Sequence, residues 1–162
     1  ENIDVILQGT MNYSFKEQEN IEPEDLRFDI IRGTTTVPRL VGEFARDESG
    51  LEDLLHRFGA VGGFFAFDVP GLNEMPEAER DEAVNAACTA LENYVRNHAE
   101  GHCVDFIGRA VGRFHVYVDF IAYDIRAVCN AAFEYFENYD TPFAAFQTYR
   151  RHVAWYNMKK QS

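Results

Sequence analysis

The chain is short of basic residues. It holds 15 lysines and arginines against 27 aspartates and glutamates, a formal net charge of −12 at pH 7. A body this acidic repels nucleic acid and anionic membrane and attracts basic surfaces. Neither direct nucleic-acid binding nor membrane association is therefore expected. Cysteine is scarce as well: Cys88, Cys103 and Cys129 are an odd set in apolar contexts. They read as buried free thiols of a reducing compartment, which points to the cytoplasm of a cell or of an infected host. The apolar runs are short, as in 61–67, and none approaches the roughly 20 residues that span a bilayer. No basic region followed by an apolar stretch opens the chain, so no secretion signal is expected.

Catalytic signatures are missing too. There is no CxxC, no HExxH and no glycine-rich loop leading into a helix. No metal and no cofactor is expected, and the reading leans away from an enzyme. The glycines of 59–63 precede a strand pattern, where a phosphate cradle needs a helix to follow. They read as close backbone packing or a bulge.

What the chain does have is apolar and aromatic mass. Hydrophobic residues are 46% and aromatics 14%, enough for a real core in 162 residues. The length predicts one domain over 1–162, burying about 70% of its unfolded surface.

Periodicity predicts the elements. Residues 3–15 alternate, with Ile3, Val5, Leu7, Met11, Tyr13 and Phe15 on one face of a long strand. A charged loop follows to Asp25, then a strand over 26–32 ended by Gly33. Residues 36–47 fit either a helix opened by Pro38 or a third strand, and both readings stay open. Ser49 and Glu52 have capping-box spacing before a short helix closed by Gly59. A strand follows over 61–69, then a long helix from Pro76 to about Ala99.

A hairpin over 103–123 is the clearest motif. A loop of Ala110, Val111 and Gly112 pairs Phe106 with Val116 and Val104 with Val118. Two helices close the chain, one capped by Asp124 and one opened by Thr141 and Pro142. The fold class is therefore α+β. A mixed or mainly antiparallel sheet of about five strands is packed by three to five helices, with a helical C-terminus.

The polar face of the hairpin carries the only candidate catalytic residues, Asp105, His115 and Asp119, with Tyr117 between them. Two carboxylates and an imidazole within cross-strand reach suit acid–base work or a metal, provided they converge in a cleft. The plain alternative is a solvated sheet face.

Charge and aromatics suggest a surface for a partner. Glu22, Glu24 and Asp25 begin an acidic tract that a second cluster, 74–82, extends. Residues 114–156 hold 13 of the 23 aromatics. Of these, Tyr135, Tyr139 and Trp155 fall off the helical core stripes and are candidates for an exposed patch. Residues 141–162 carry four lysines and arginines and no acid, so they can neutralise the body within a protomer or across a homodimer.

The leading reading is a small acidic binding protein that occludes a basic site on a partner, such as a nucleic-acid-binding protein. Inhibitor and immunity proteins, and phage or mobile-element counter-defence proteins, act in this way. The alternatives are a small hydrolase or ligand-binding domain using the 103–123 hairpin, and a homo-oligomeric module joined through the C-terminal helices.

Overall fold

The computed structural model describes residues 10–159. Among these residues one antiparallel sheet of seven strands runs through the molecule in the order β1-β2-β4-β5-β3-β6-β7. The strands are β1 (Met11–Ser14), β2 (Ile30–Thr35), β3 (Val61–Phe67), β4 (Val104–Gly112), β5 (Val116–Ala122), β6 (Ala144–Thr148) and β7 (Tyr156–Asn157). Four α-helices cover its two faces: α1 (Pro38–Ala45), α2 (Gly50–Arg57), α3 (Glu77–His98) and α4 (Ile125–Asn138). The α+β class holds. The sheet is wholly antiparallel, and it is wider than expected.

β5 and β3 lie at the middle, and every residue of β5 is buried. Alternation therefore divides two cores. On one face Phe65, Phe67, Val118 and Phe120 pack under α3 and α4, which contribute Cys88, Leu91, Val95, Val128 and Phe136. On the other face Phe64, Tyr117 and Ile121 pack under α1 and α2 with Leu40, Phe44, Leu51 and Leu55. The Phe65 and Phe120 rings meet at 4.8 Å.

Local signals explain several boundaries. Pro38 opens α1, so the ambiguous stretch is a helix. Asp124 caps α4 by accepting from the Ala127 amide at 3.1 Å. Gly59 ends the turn after α2 at φ +75°, which an L side chain adopts only under strain. Gly63 sits where β3 is squeezed between its neighbours. A Cβ there would stand 3.0 Å from the Gln147 carbonyl, Phe120 and Phe146. The glycine-rich stretch is close packing, as its sequence suggested.

Of the strand expected over 3–15, residues 11–14 form β1, and residues 1–9 lie outside the described residues. Four expectations need correction. The strand expected over 26–32 begins only at Ile30 and continues through Gly33, because 26–29 form a turn. The Ser49–Glu52 capping box does not form. Ser49 makes no cap bond to the helix, and Glu52 turns inward instead.

The hairpin register also differs. Val104 pairs with Ala122 and Phe106 with Phe120. A bulge at Ile107 then shifts the ladder so that Gly108 meets Asp119 and Val111 meets Val116. The bulge turns Ile107 and the Gly108 position toward the same core, a change that alternation alone cannot signal.

The final helix is replaced by β6 and β7. Residues 144–147 are buried, and Phe146 pairs with Phe65 along the second edge of β3. That edge would otherwise leave buried amides and carbonyls unpaired. The spacing of Phe143, Phe146 and Tyr149 fits a helix equally well, so periodicity misled here. The C-terminal helix that forms is α4.

Candidate functional site

Alternation along β5 places Tyr117 and Asp119 toward the α1/α2 core, and His115, just before the strand, is buried as well, so this part of the hairpin's polar face is not solvated. Asp119 is fully buried. A carboxylate there needs a cation, because burying an unpaired charge is costly. Arg27 supplies it from the turn before β2, with Nη1 at 2.5 Å from Asp119 Oδ1. Its Nη2 donates to the Tyr13 hydroxyl at 3.2 Å.

Aromatic rings enclose the Arg27 guanidinium. Its carbon lies 5.0 Å from the ring centres of Phe64 and Tyr149, 5.6 Å from Tyr117 and 5.9 Å from Phe44. Desolvated cation–π contacts of this kind contribute up to about 2 kcal/mol each. Arg27 reaches this position with φ at +73°, unusual for a residue other than glycine.

Hydrogen bonds continue outward from this pair. The Arg27 amide donates to the Tyr117 hydroxyl at 2.9 Å, and that hydroxyl donates to Asp29. Asp29 Oδ2 also accepts the amides of Phe114 and His115, at 2.9 and 3.1 Å. Burial pushes Tyr117 and Tyr149 well above the ordinary tyrosine range. Asp119 Oδ2 and the Tyr149 hydroxyl are buried with no hydrogen-bond partner among the described residues.

His115 is held at both nitrogens. Nδ1 is 2.6 Å from Asp68 Oδ1, and Nε2 is 2.8 Å from the Pro23 carbonyl. Its ring stacks on Phe143 with centres 4.4 Å apart. A carbonyl and a carboxylate both accept, so these two partners favour a ring that donates twice, the imidazolium. Burial lowers the His115 pKa, but the bonds to Asp68 and Pro23 outweigh it and the pKa rises above 6.5. A histidine with both nitrogens engaged is neither a free base nor a metal ligand.

Asp105 lies elsewhere. It accepts from the Tyr123 hydroxyl at 2.6 Å and faces His102 Nε2 at 3.3 Å. Asp105, His115 and Asp119 therefore do not converge in a cleft. No group of three His, Cys, Asp or Glu suited to a metal occurs among the described residues.

Three functional-looking groups were not anticipated: Arg27, Asp29 and Glu52. Arg27 was the one base inside an otherwise apolar and acidic stretch, Leu26 to Ile31, and that isolation was the available signal. Glu52 Oε1 accepts the Gly62 amide at 2.8 Å and Oε2 accepts the Tyr149 amide at 3.3 Å. Burial pushes its carboxyl up to about 7, although both amides act to lower it.

Of the expected partner-binding residues, Glu22, Glu24 and Asp25 are exposed. The Asp25 carboxylate accepts the Glu22 amide at 3.1 Å, which folds the tract into a turn. Tyr135, Tyr139 and Trp155 are half-buried, which corrects the expectation of an exposed patch. Tyr135 stacks on Tyr139, and Trp155 meets Phe143 edge-on at 5.4 Å.

Two of the C-terminal cations are engaged inside the protomer. Arg150 pairs with Asp53 at 2.7 Å, and Lys159 Nζ donates to the Phe136 and Tyr139 carbonyls, each at 2.8 Å. Among the described residues the last helix expected to join two protomers does not form, and β6 and β7 take its place.

None of the described helices is long and apolar enough to cross a membrane. No family model, no curated protein and no solved structure matches the chain.

Proposed function

We propose that this chain is a small non-enzymatic binding protein whose acidic end occludes a basic site on a partner protein. One observation carries the reading. His115 bonds at once to Asp68, which leads into the 68–74 loop, and to Pro23, inside the Glu22–Asp25 tract. Pro23 and Asp68 adjoin two acidic segments far apart in sequence, and the imidazole joins them. Glu22, Glu24 and Asp25 flank Pro23 and are exposed, as are Glu74 and Glu77 beyond Asp68, with Arg113 the one arginine or lysine among the described residues of the hollow that Asp68 and Glu74 line. Clustered like charge steers a basic partner and speeds its encounter.

The candidate catalytic groups meanwhile serve structural pairings. Asp119 neutralises Arg27, and His115 spends both nitrogens. An inhibitor, an immunity protein or a counter-defence protein that blocks a nucleic-acid-binding site would need such a surface and no active site.

The test is capture on the immobilised chain from the native host's lysate, repeated with Glu22→Lys/Glu24→Lys/Asp25→Lys. The expected partner has a basic surface and elutes with salt, and the triple variant binds it with a lower on-rate. Equal capture by parent and variant at low ionic strength overturns the reading.

A further inference from the structure

We infer that the cavity beside Arg27, between Phe15, Phe28 and Phe44, is a binding site for a small aromatic carboxylate. The cavity is about 250 Å³. That is just below the range of about 300–1,000 Å³ typical of sites for drug-sized ligands, so it suits a one- or two-ring molecule and not a dinucleotide. Its floor is apolar, formed by Ile30, Val41 and Phe44. Phe28 and Phe44 stand 6.3 Å apart with their planes tilted by 48°, giving ring faces and edges for an aromatic body.

The charge around this cavity is opposite to that of the molecule. The chain carries −12 in total, yet Lys16, Arg27 and Arg151 line the cavity and no acid among the described residues does. Arg27 at the inner end is balanced by Asp119. Among the described residues the other two cations pair with no acid. Arg151 stacks its guanidinium carbon 4.4 Å above the Phe28 ring and gives Nη1 to the Ala45 carbonyl, a neutral acceptor. Lys16 has no ion-pair or hydrogen-bond partner among the described residues. Arg151 is half-buried, so its charge is poorly solvated where an anion would sit. An aromatic ring on the phenylalanines with its carboxylate toward Arg151 and Lys16 satisfies both features.

The experiment titrates the full chain with benzoate, phenylacetate and indole-3-acetate, followed by calorimetry and by amide chemical shifts. At least one should bind saturably in the low-millimolar range or tighter, shifting the amides of 15–18, 41–45 and Arg151. Its neutral carboxamide counterpart should bind about tenfold more weakly or worse, as expected for loss of a charge-assisted contact. Arg151→Gln should cost the acid a similar factor and leave the amide unchanged. Ala45→Phe, at an exposed rim position, should block both ligands by filling the mouth while the melting curve stays cooperative. Absence of saturable binding by all three acids overturns the proposal. So does equal affinity for acid and amide, or an Arg151→Gln variant that binds the acid as the parent does.

Discussion

Arg27 and Asp119 form a buried ion pair across 92 positions of sequence, Nη1 to Oδ1 at 2.5 Å, with four aromatic rings around the guanidinium. It joins the turn before β2 to the central strand β5. Removing one partner leaves the other charge buried and alone, which costs about 3–5 kcal/mol. Arg27→Met and Asp119→Asn should each lose roughly that much in urea unfolding. Arg27→Met/Asp119→Leu should be more stable than either single variant, because no buried charge is then left unpaired. Single variants that unfold at the parent's urea midpoint would remove the pair from any structural role.

Glu52 makes stability depend on pH. Its folded carboxyl titrates at about 7 against an ordinary 4.5, because burial disfavours the charged form. The raised value means that the folded state holds its proton longer than the unfolded state. This contribution is therefore complete below pH 4.5 and is lost as pH rises to about 7 and just above. The span corresponds to about 3 kcal/mol. His115, also raised, adds a loss of the same sign above 6.5. Melting temperature should fall across this window, and Glu52→Gln should flatten the lower part of the slope. A Gln variant with the parent's pH profile would show that Glu52 titrates normally.

The double grip of His115 should govern the mobility of the acidic tract. His115→Phe keeps a ring against Phe143 and deletes the bonds to Asp68 and Pro23. Hydrogen exchange at Leu26 and Phe28, whose amides bond within the 22–28 turns, should speed up. Global stability should drop by about 1–3 kcal/mol for the lost charge-assisted bonds. Unchanged exchange over the tract would mean that Pro23 is held by something else.

The two glycines Gly63 and Gly101 should respond to alanine for different reasons. Gly63→Ala forces a methyl against three neighbours at 3.0 Å in the sheet centre and should cost about 1–3 kcal/mol. Gly101→Ala meets nothing within 4 Å, but it must adopt φ +73°, a cost of about 1 kcal/mol. Chemical denaturation of the two variants checks the order, with Gly63→Ala the less stable.

Much of the architecture was legible because local chemistry agreed with tertiary need. Pro76 stands at the start of α3 and Asp124 caps α4, as their sequences suggested. β3 and β5 form from their apolar runs. Two features of the fold were hidden. The bulge at Ile107 adds a residue that alternation does not announce. β6 carries Phe146 between Phe143 and Tyr149, at spacings that also fit a helix, and only the free edge of β3 decides between them.

The candidate site was hidden for a related reason. Asp119 looked like a surface carboxylate of a half-exposed hairpin, but β3 and β4 enclose β5 on both edges and helices cover both faces. Its partner, Arg27, lies in a turn whose sequence fits a strand, so nothing in the local pattern connects them.

The strand order also shapes the life of the chain during synthesis. β3 sits between β5 and β6, both of which are made later. An emerging chain thus carries Val61–Phe67, an apolar and uncharged stretch, with neither edge paired until the C-terminal third has left the ribosome. Such a segment is prone to stick to its like in the interval. The burden of safe production falls on how quickly β5 and β6 arrive, and truncations after α3 should accumulate as aggregates instead of as smaller folded domains.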